Sequence, residues 1–235
     1  MTSFIEPIIE ALPSLLLGAR VTLGLALISG FLGLLLGSLL GVARLSSFKP
    51  LSWATRAYIE FFRGTPLLVQ LFIVYFGIPS SLQGLGINFR LTQWTAAIIA
   101  LSLNAAAYIA EIMRGGIQSI AVGQREASET LGLSQFQAMR YIIFPQALRR
   151  MIPPLGNEFI VLLKETSIAS VIGLEEMFLK GSLFVARTYQ AFEIYVGVAL
   201  IYLLMTLILS YLLSRVEIWM DPTRSRKPLQ PEPQA

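Results

Sequence analysis

The sequence contains no cysteine and no histidine. Disulfides, thiolate-ligated zinc, thiolate nucleophiles and every histidine-based catalytic arrangement are therefore excluded. Charge is scarce as well. Of the 235 residues 14% are Asp, Glu, Lys or Arg and 55% are hydrophobic, whereas a soluble domain carries about 25% charged residues. So little charge cannot cover a water-facing surface of this size, which argues against a soluble enzyme and excludes a disordered chain. No Gly-x-x-x-x-Gly-Lys-Ser/Thr phosphate loop and no His-Glu-x-x-His helix occur, so the chain lacks the usual motifs for ATP hydrolysis and zinc proteolysis. No basic stripe is interleaved with aromatics in the manner of a nucleic-acid binder. No catalytic residue and no metal-ligating cluster is identified. A strong internal repeat of the kind that builds secondary carriers is also missing.

What the sequence does have is long apolar runs. A helix of about 20 residues crosses the bilayer core. Such runs cover about residues 15–42, 53–76, 93–113, 155–172 and 192–213. The expected fold is all-α: a polytopic membrane bundle of about five transmembrane helices. Residues 1–220 are expected to form one transmembrane domain, and the Pro-, Arg- and Gln-rich residues 221–235 a disordered cytoplasmic tail. The start carries Glu6 and Glu10 with no basic residue, so the first run is expected to be an uncleaved span. Gly33, Gly37 and Gly41 mark a smooth face for close helix packing. The second run is interrupted by Arg63-Gly64-Thr65-Pro66, a helix break. Residues 78–91 are expected to form a loop, and residues 175–191 an interfacial segment.

Basic residues set the orientation. Arg44, Lys49 and Arg56, then Arg114, Arg125, Arg140, Arg149 and Arg150, then Arg215, Arg224, Arg226 and Lys227 fall in alternate connections. The opposite side has Arg20, Arg90, Lys180 and Arg187. By the positive-inside rule the richer set faces the cytoplasm, giving an outside amino terminus and a cytoplasmic carboxyl terminus in a multi-pass inner (plasma) membrane protein. Trp53, Trp94 and Trp219 fall at predicted span ends, as interfacial rings do.

The connection 123–145 carries a local pattern. Residues 124–131 suit a short helix, Gly132 a left-handed stop, Ser134 the cap of a second helix, and Pro145 the point where that helix weakens. Spacing alone leaves two readings open: a solvated connector, or a knob that docks in a groove of another protein.

Glu126-Ala127-Ser128, three residues, Gly132, nine residues, then Ile142-x-Phe144-Pro145 resembles the loop Glu-Ala-Ala, three, Gly, nine, Ile-x-Leu-Pro of ABC importer permeases. Ser128 and Phe144 depart from that pattern by small changes. Phe62 through Gln70 (FRGTPLLVQ), Ala110-Glu111, Arg114-Gly115, Gly123-Gln124, Pro145-Gln146-Ala147, Asn157 and Leu163 through Ser167 (LKETS) are similar to the polar amino acid subfamily, over about residues 12–218. The resemblance implies a type I importer permease that pairs with an identical or related permease. It implies two separate ATPase subunits, which hold the ATP and Mg that this chain does not, and an extracytoplasmic solute-binding protein. Gly123, Glu126, Ala127, Ser128, Leu131, Gly132 and Pro145 would couple to the ATPase.

Ionisable groups at membrane depth are costly and usually face an interior path. Asn104, Glu111, Lys164, Glu165, Thr166 and Ser167 are the candidates for a substrate path, with helix–helix bonding as the competing role. Glu60–Arg63 and Glu111–Arg114 are spaced to pair. A self-contained channel or secondary amino acid carrier is the alternative function.

Overall fold

The computed structural model describes residues 4–220, and the predicted tail 221–235 lies outside the described residues. Eight helices follow one another: α1 (Glu6–Arg44), α2 (Lys49–Gly64), α3 (Leu67–Gly84), α4 (Gln93–Gln118), α5 (Val122–Thr130), α6 (Phe144–Glu165), α7 (Met177–Thr188) and α8 (Ala191–Met220). A single turn, Gln135–Gln137, and a π-helical stretch, Ala138–Ile143, lead into α6, and a 3-10 stretch, Thr166–Ile172, leads out of it.

The glycine face of α1 sets the packing. A Cβ on Gly33 would stand 2.9 Å from Ala105 Cβ, one on Gly37 2.7 Å from Ile109 Cβ, and one on Gly41 2.7 Å from Met113 Cβ. Each step of four in α1 matches a step of four in α4, so the two helices run parallel with backbones close together. Parallel neighbours need a return crossing between them, and α2 with α3 supplies it. Helix α6 runs back beside α4, with Met151 against Gly116 and Ala169 against Ala97 and Leu101. Helix α8 runs alongside α1, with Gly197 on Ile8 and Ile194 and Val198 among Ala11, Leu15 and Ala19.

Among the described residues four helices are long and apolar enough to cross a membrane: α1, α3, α4 and α8. The fourth sequence run differs in kind. It falls within α6 and its 3-10 extension, whose Arg149, Arg150, Glu158, Lys164 and Glu165 lower the apolarity while Leu162, Leu163, Ala147 and Met151 are buried.

Two local expectations change. Residues 78–84 continue α3 through a π turn at Ile73–Gly77, and the chain leaves the helix only at Gly86, with φ +82°. Pro145 does not weaken the second helix of the connection. It lies at the first turn of α6, just past the π-helical stretch, where a wide turn tolerates the missing N–H.

Candidate functional site

The knob forms as its residues dictate. Ser128 is buried and its hydroxyl donates to Gln124 O (2.5 Å) and Arg125 O (3.0 Å), turning its polarity inward on α5. Beyond Thr130 the chain reverses. Gly132 N donates to Glu129 O (2.9 Å) and Leu133 N to Ser128 O (3.0 Å), with Gly132 at φ +75°. This pair of bonds is the Schellman closure, which requires a left-handed residue at the position of Gly132. Ser134 and Gln137 then form a reciprocal capping box. Gly123, Glu126, Ala127 and Leu131 are exposed around the tip, Leu131 at 78%, and Pro145 is exposed at its root. Gln146 ties that root to Gln124 (3.2 Å). The product is a stiff helical projection with an apolar tip.

The break in the second crossing falls at Thr65-Pro66, where the backbone is extended. Its freed groups are satisfied from inside the bundle. Gln70 Nε2 donates to Phe62 O (2.8 Å), Thr65 O (3.0 Å) and Thr65 Oγ1 (2.9 Å), and buried Asn104 donates its amide to Gln70 Oε1 (2.9 Å). Tyr58 adds a bond to Leu103 O (2.7 Å). Thus α4 carries an amide that holds the two halves of the crossing together, as irregular backbone at membrane depth demands. Gly64 has open space around it.

The expected ion pairs divide. Arg114 Nε donates to Glu111 (2.9 Å), and Arg114 also bonds Gln118. Glu60 does not pair with Arg63. It takes Arg56 (2.6 Å), one turn before it and exposed, while the Arg63 guanidinium stacks 5.3 Å over the Tyr108 ring. That ring supplies a face of negative potential where Glu60 points away.

Lys164 is exposed and Glu165 half-buried at the end of α6. Thr166 is fully buried and donates to Leu163 O (2.8 Å), while Ser167 donates to Lys164 O (2.8 Å). Both hydroxyls serve the switch from α to 3-10 geometry. The path candidates therefore form no single cluster: Asn104 belongs to the helix break, Glu111 lies two turns further along α4, and Lys164–Ser167 span the end of α6 and the start of its 3-10 extension.

Sequence reasoning missed Glu176. Fully buried, it caps α7 by accepting from Leu179 N (2.8 Å) and Phe178 N (3.0 Å). It also accepts from Thr22 of α1 (3.3 Å) and Tyr202 of α8 (3.1 Å). Met177 N in turn donates to Thr22 Oγ1 (3.2 Å). An acidic residue just ahead of a short amphipathic helix was the available signal, but its partners lie 154 and 26 residues away.

Residues 33–225 match the family model described as the binding-protein-dependent transport system inner membrane component. The glutamine transport system permease protein GlnP of Escherichia coli (strain K12) is 42% identical over 207 residues, covering 88% of this chain and 93% of that protein. The arginine transport system permease protein ArtQ of Bacillus subtilis (strain 168) is 40% identical over 209 residues, covering 89% and 93%. The nopaline transport system permease protein NocM of Agrobacterium fabrum (strain C58 / ATCC 33970) is 40% identical over 223 residues, covering 93% and 92%. Among solved structures, an amino acid ABC transporter crystallised with histidines superposes with a TM-score of 0.84 at 41% identity, covering 92% of this chain and 98% of that one. An inward-facing MetNI methionine ABC transporter, 23% identical, shares the fold with a TM-score of 0.69.

Proposed function

The chain belongs to the family of binding-protein-dependent transport system inner membrane components, and from that premise we propose that it is the permease subunit of an ATP-driven importer of polar amino acids. The observation that carries the reading is the knob: a stiff, exposed helix closed at Gly132, at the foot of the bundle and amid its basic connections. A self-contained carrier has no use for such a projection. The chain is no enzyme itself. ATP and Mg belong to two partner ATPase subunits, a second permease copy or relative completes the path, and an extracytoplasmic binding protein delivers the substrate.

In this reading Gly123, Glu126, Ala127, Ser128, Leu131, Gly132 and Pro145 form or support the surface that meets the ATPase. Closure of the ATPases moves the knob, and the bundle shifts between inward and outward openings because each partner contact favours one of them. The amino terminus is extracytoplasmic and the far end of α8 cytoplasmic, in keeping with the basic-residue bias. Residues 1–220 act as one domain. Asn104, Glu111, Lys164, Glu165, Thr166 and Ser167 lie along the substrate path. The break at Arg63, Gly64, Thr65 and Pro66 joins α2 and α3 into one crossing held by Gln70 and Asn104.

The test is reconstitution of the chain with its ATPase, second permease and binding protein in liposomes, with labelled glutamine, arginine, histidine and glutamate. ATP-dependent uptake of at least one is expected. Uptake by the chain alone, without ATPase or binding protein, would instead establish the carrier reading.

A further inference from the structure

Two charged residues of the knob have no place in the surface that meets the ATPase. Counted around α5, Gly123, Glu126, Ala127 and Leu131 share one side, and Arg125 and Glu129 lie on the other with buried Ser128. Arg125 and Glu129 stand one turn apart, the spacing at which opposite charges pair on a helix. Arg56 and Glu60 have the same order and the same spacing, and they do pair, at 2.6 Å. Arg125 and Glu129 do not. Neither side chain has a hydrogen bond or an ion pair among the described residues.

What they share instead is a cavity. Arg125, Glu129, Gln118 and Gln135 give a space of about 340 Å³ its polar side. Its apolar side comes from Ile117 near the end of α4, Leu45 just past α1, and Ile143, where the π-helical stretch meets α6. The cavity therefore lies between the knob and the ends of the three helices α1, α4 and α6, outside the bundle proper. A smaller space of about 160 Å³ adjoins it, sharing Ile117, Gln118, Arg125 and Ile143. Cavities of this order hold small ligands, with a few polar groups fixing their orientation. A simple anion would meet Glu129 here and a simple cation would meet Arg125. A small dipolar ion meets an opposite charge at each end.

We propose that this cavity is a regulatory site for a free α-amino acid on the cytoplasmic side, separate from any path through the bundle. The Arg125 guanidinium receives the α-carboxylate through paired N–H donors. The Glu129 carboxylate receives the α-ammonium, and the apolar side takes the first carbons of the side chain. The imported amino acid is released on this side, so the ligand is the product itself. Once occupied, the site ties the knob to the ends of α1, α4 and α6 in the arrangement seen here. A ligand that binds this arrangement better than the one reached on ATPase closure opposes that closure, and closure in turn weakens the ligand. Accumulated product thereby slows its own import. This inference rests on the transport reading above.

The experiment uses proteoliposomes holding the full transporter. Labelled glutamine, arginine, histidine or glutamate is supplied with the binding protein on one side, and ATP on the other. The same amino acid, unlabelled, is then added on the ATP side. Wild-type uptake and ATP hydrolysis are expected to fall as it is added. Its N-acetyl derivative, which lacks the ammonium, and the corresponding amine, which lacks the carboxylate, should leave both unchanged. Arg125→Gln and Glu129→Gln should import normally in the absence of product and need about tenfold more of it for half-inhibition, the loss of one charge-assisted contact. Arg125→Lys and Glu129→Asp keep the charge and should keep the inhibition. Binding itself is read on Gln135→Cys, which carries the only thiol in a chain that has no cysteine. The four amino acids should slow its modification by a maleimide, and the derivatives should not. Inhibition that is the same in wild type and both Gln variants, or modification that no amino acid slows, overturns the site. Uptake that product leaves unchanged overturns its regulatory role, and each of these results leaves the importer reading standing. Absence of ATP-dependent uptake refutes that reading, while protection of the thiol still decides the site.

Discussion

Replacing Gly132 tests the knob through a single dihedral angle. Gly132 sits at φ +75°, and a Cβ built there meets nothing within 4 Å. Steric contact therefore contributes nothing, and the backbone conformation carries the whole effect. Alanine in the left-handed region costs about 1–2 kcal/mol, which lowers the ratio of closed to open knob by roughly 5–30-fold. Asparagine tolerates that region better and should fall between glycine and alanine. Proline cannot adopt it, since its ring fixes φ near about −65°. Proline also removes the N–H that donates to Glu129 O at 2.9 Å. The expected order of coupling is Gly, Asn, Ala, Pro. The assay is amino acid imported per ATP hydrolysed in proteoliposomes holding the full transporter. Gly132→Pro should insert in the membrane at normal levels and lose at least about tenfold in that ratio, the equivalent of 1.4 kcal/mol. A wild-type ratio in Gly132→Pro, or Asn coupling worse than Ala, would refute the reasoning.

Gly37→Ala forces a Cβ to 2.7 Å from Ile109 Cβ and 2.8 Å from the backbone oxygen of Ala106, so overpacking of about 1–3 kcal/mol should outweigh the helix-propensity gain of about 1 kcal/mol. Gly24→Ala meets only Trp94 at 3.8 Å and should raise thermal stability in detergent while Gly37→Ala lowers it; equal shifts would argue against tight α1–α4 packing. Glu176→Ala strips four donors of their acceptor and should destabilise by at least about 2 kcal/mol, with faster proteolysis around α7; unaltered proteolysis would contradict its role as a clasp. Ala at Asn104, Lys164, Glu165 or Thr166 should lower uptake at normal protein levels, and full uptake by all four would remove them from the path.

The sequence-to-structure agreement is uneven for physical reasons. The knob was legible because every determinant is local: Gly132 ends α5, Ser134 begins the next turn, and the bonds that close it span five residues or fewer. The α1 glycine face was legible as packing, though not as packing on α4, because spacing defines a surface and not its partner. The break at Thr65-Pro66 was visible, but the donors that satisfy it come from Gln70 and from Asn104 on another crossing. Pro145 was misplaced because a π turn, invisible in propensity, absorbs its missing donor. Glu60–Arg63 failed because helical spacing offers each charge more than one neighbour, and Arg56 lay closer.

These outcomes separate the polar groups at membrane depth by a physical criterion that residue type cannot supply. Glu176 and Glu158 are the same amino acid, and both stand among apolar side chains. The first accepts from two backbone amides and two hydroxyls and so fastens α1, α7 and α8 together. The second accepts from none of the described residues and faces a cavity. A buried carboxylate with all its lone pairs engaged resists motion, because any shift breaks several bonds at once. One with no partner contributes nothing to that resistance and is free to change partners as the bundle opens and closes. A transporter needs both kinds: Glu176 belongs to a clasp that moves as a unit, whereas Glu158 faces a cavity walled by α1, α4, α6 and α8. Transport cycles should therefore leave the α1–α7–α8 clasp intact while α6 moves against α1 across the cavity that Glu158 faces. Paired spin labels at exposed sites on α1 and α6 should report that change between nucleotide-free and ATP-bound complexes, and an unchanged α1–α6 distance would rule the division out.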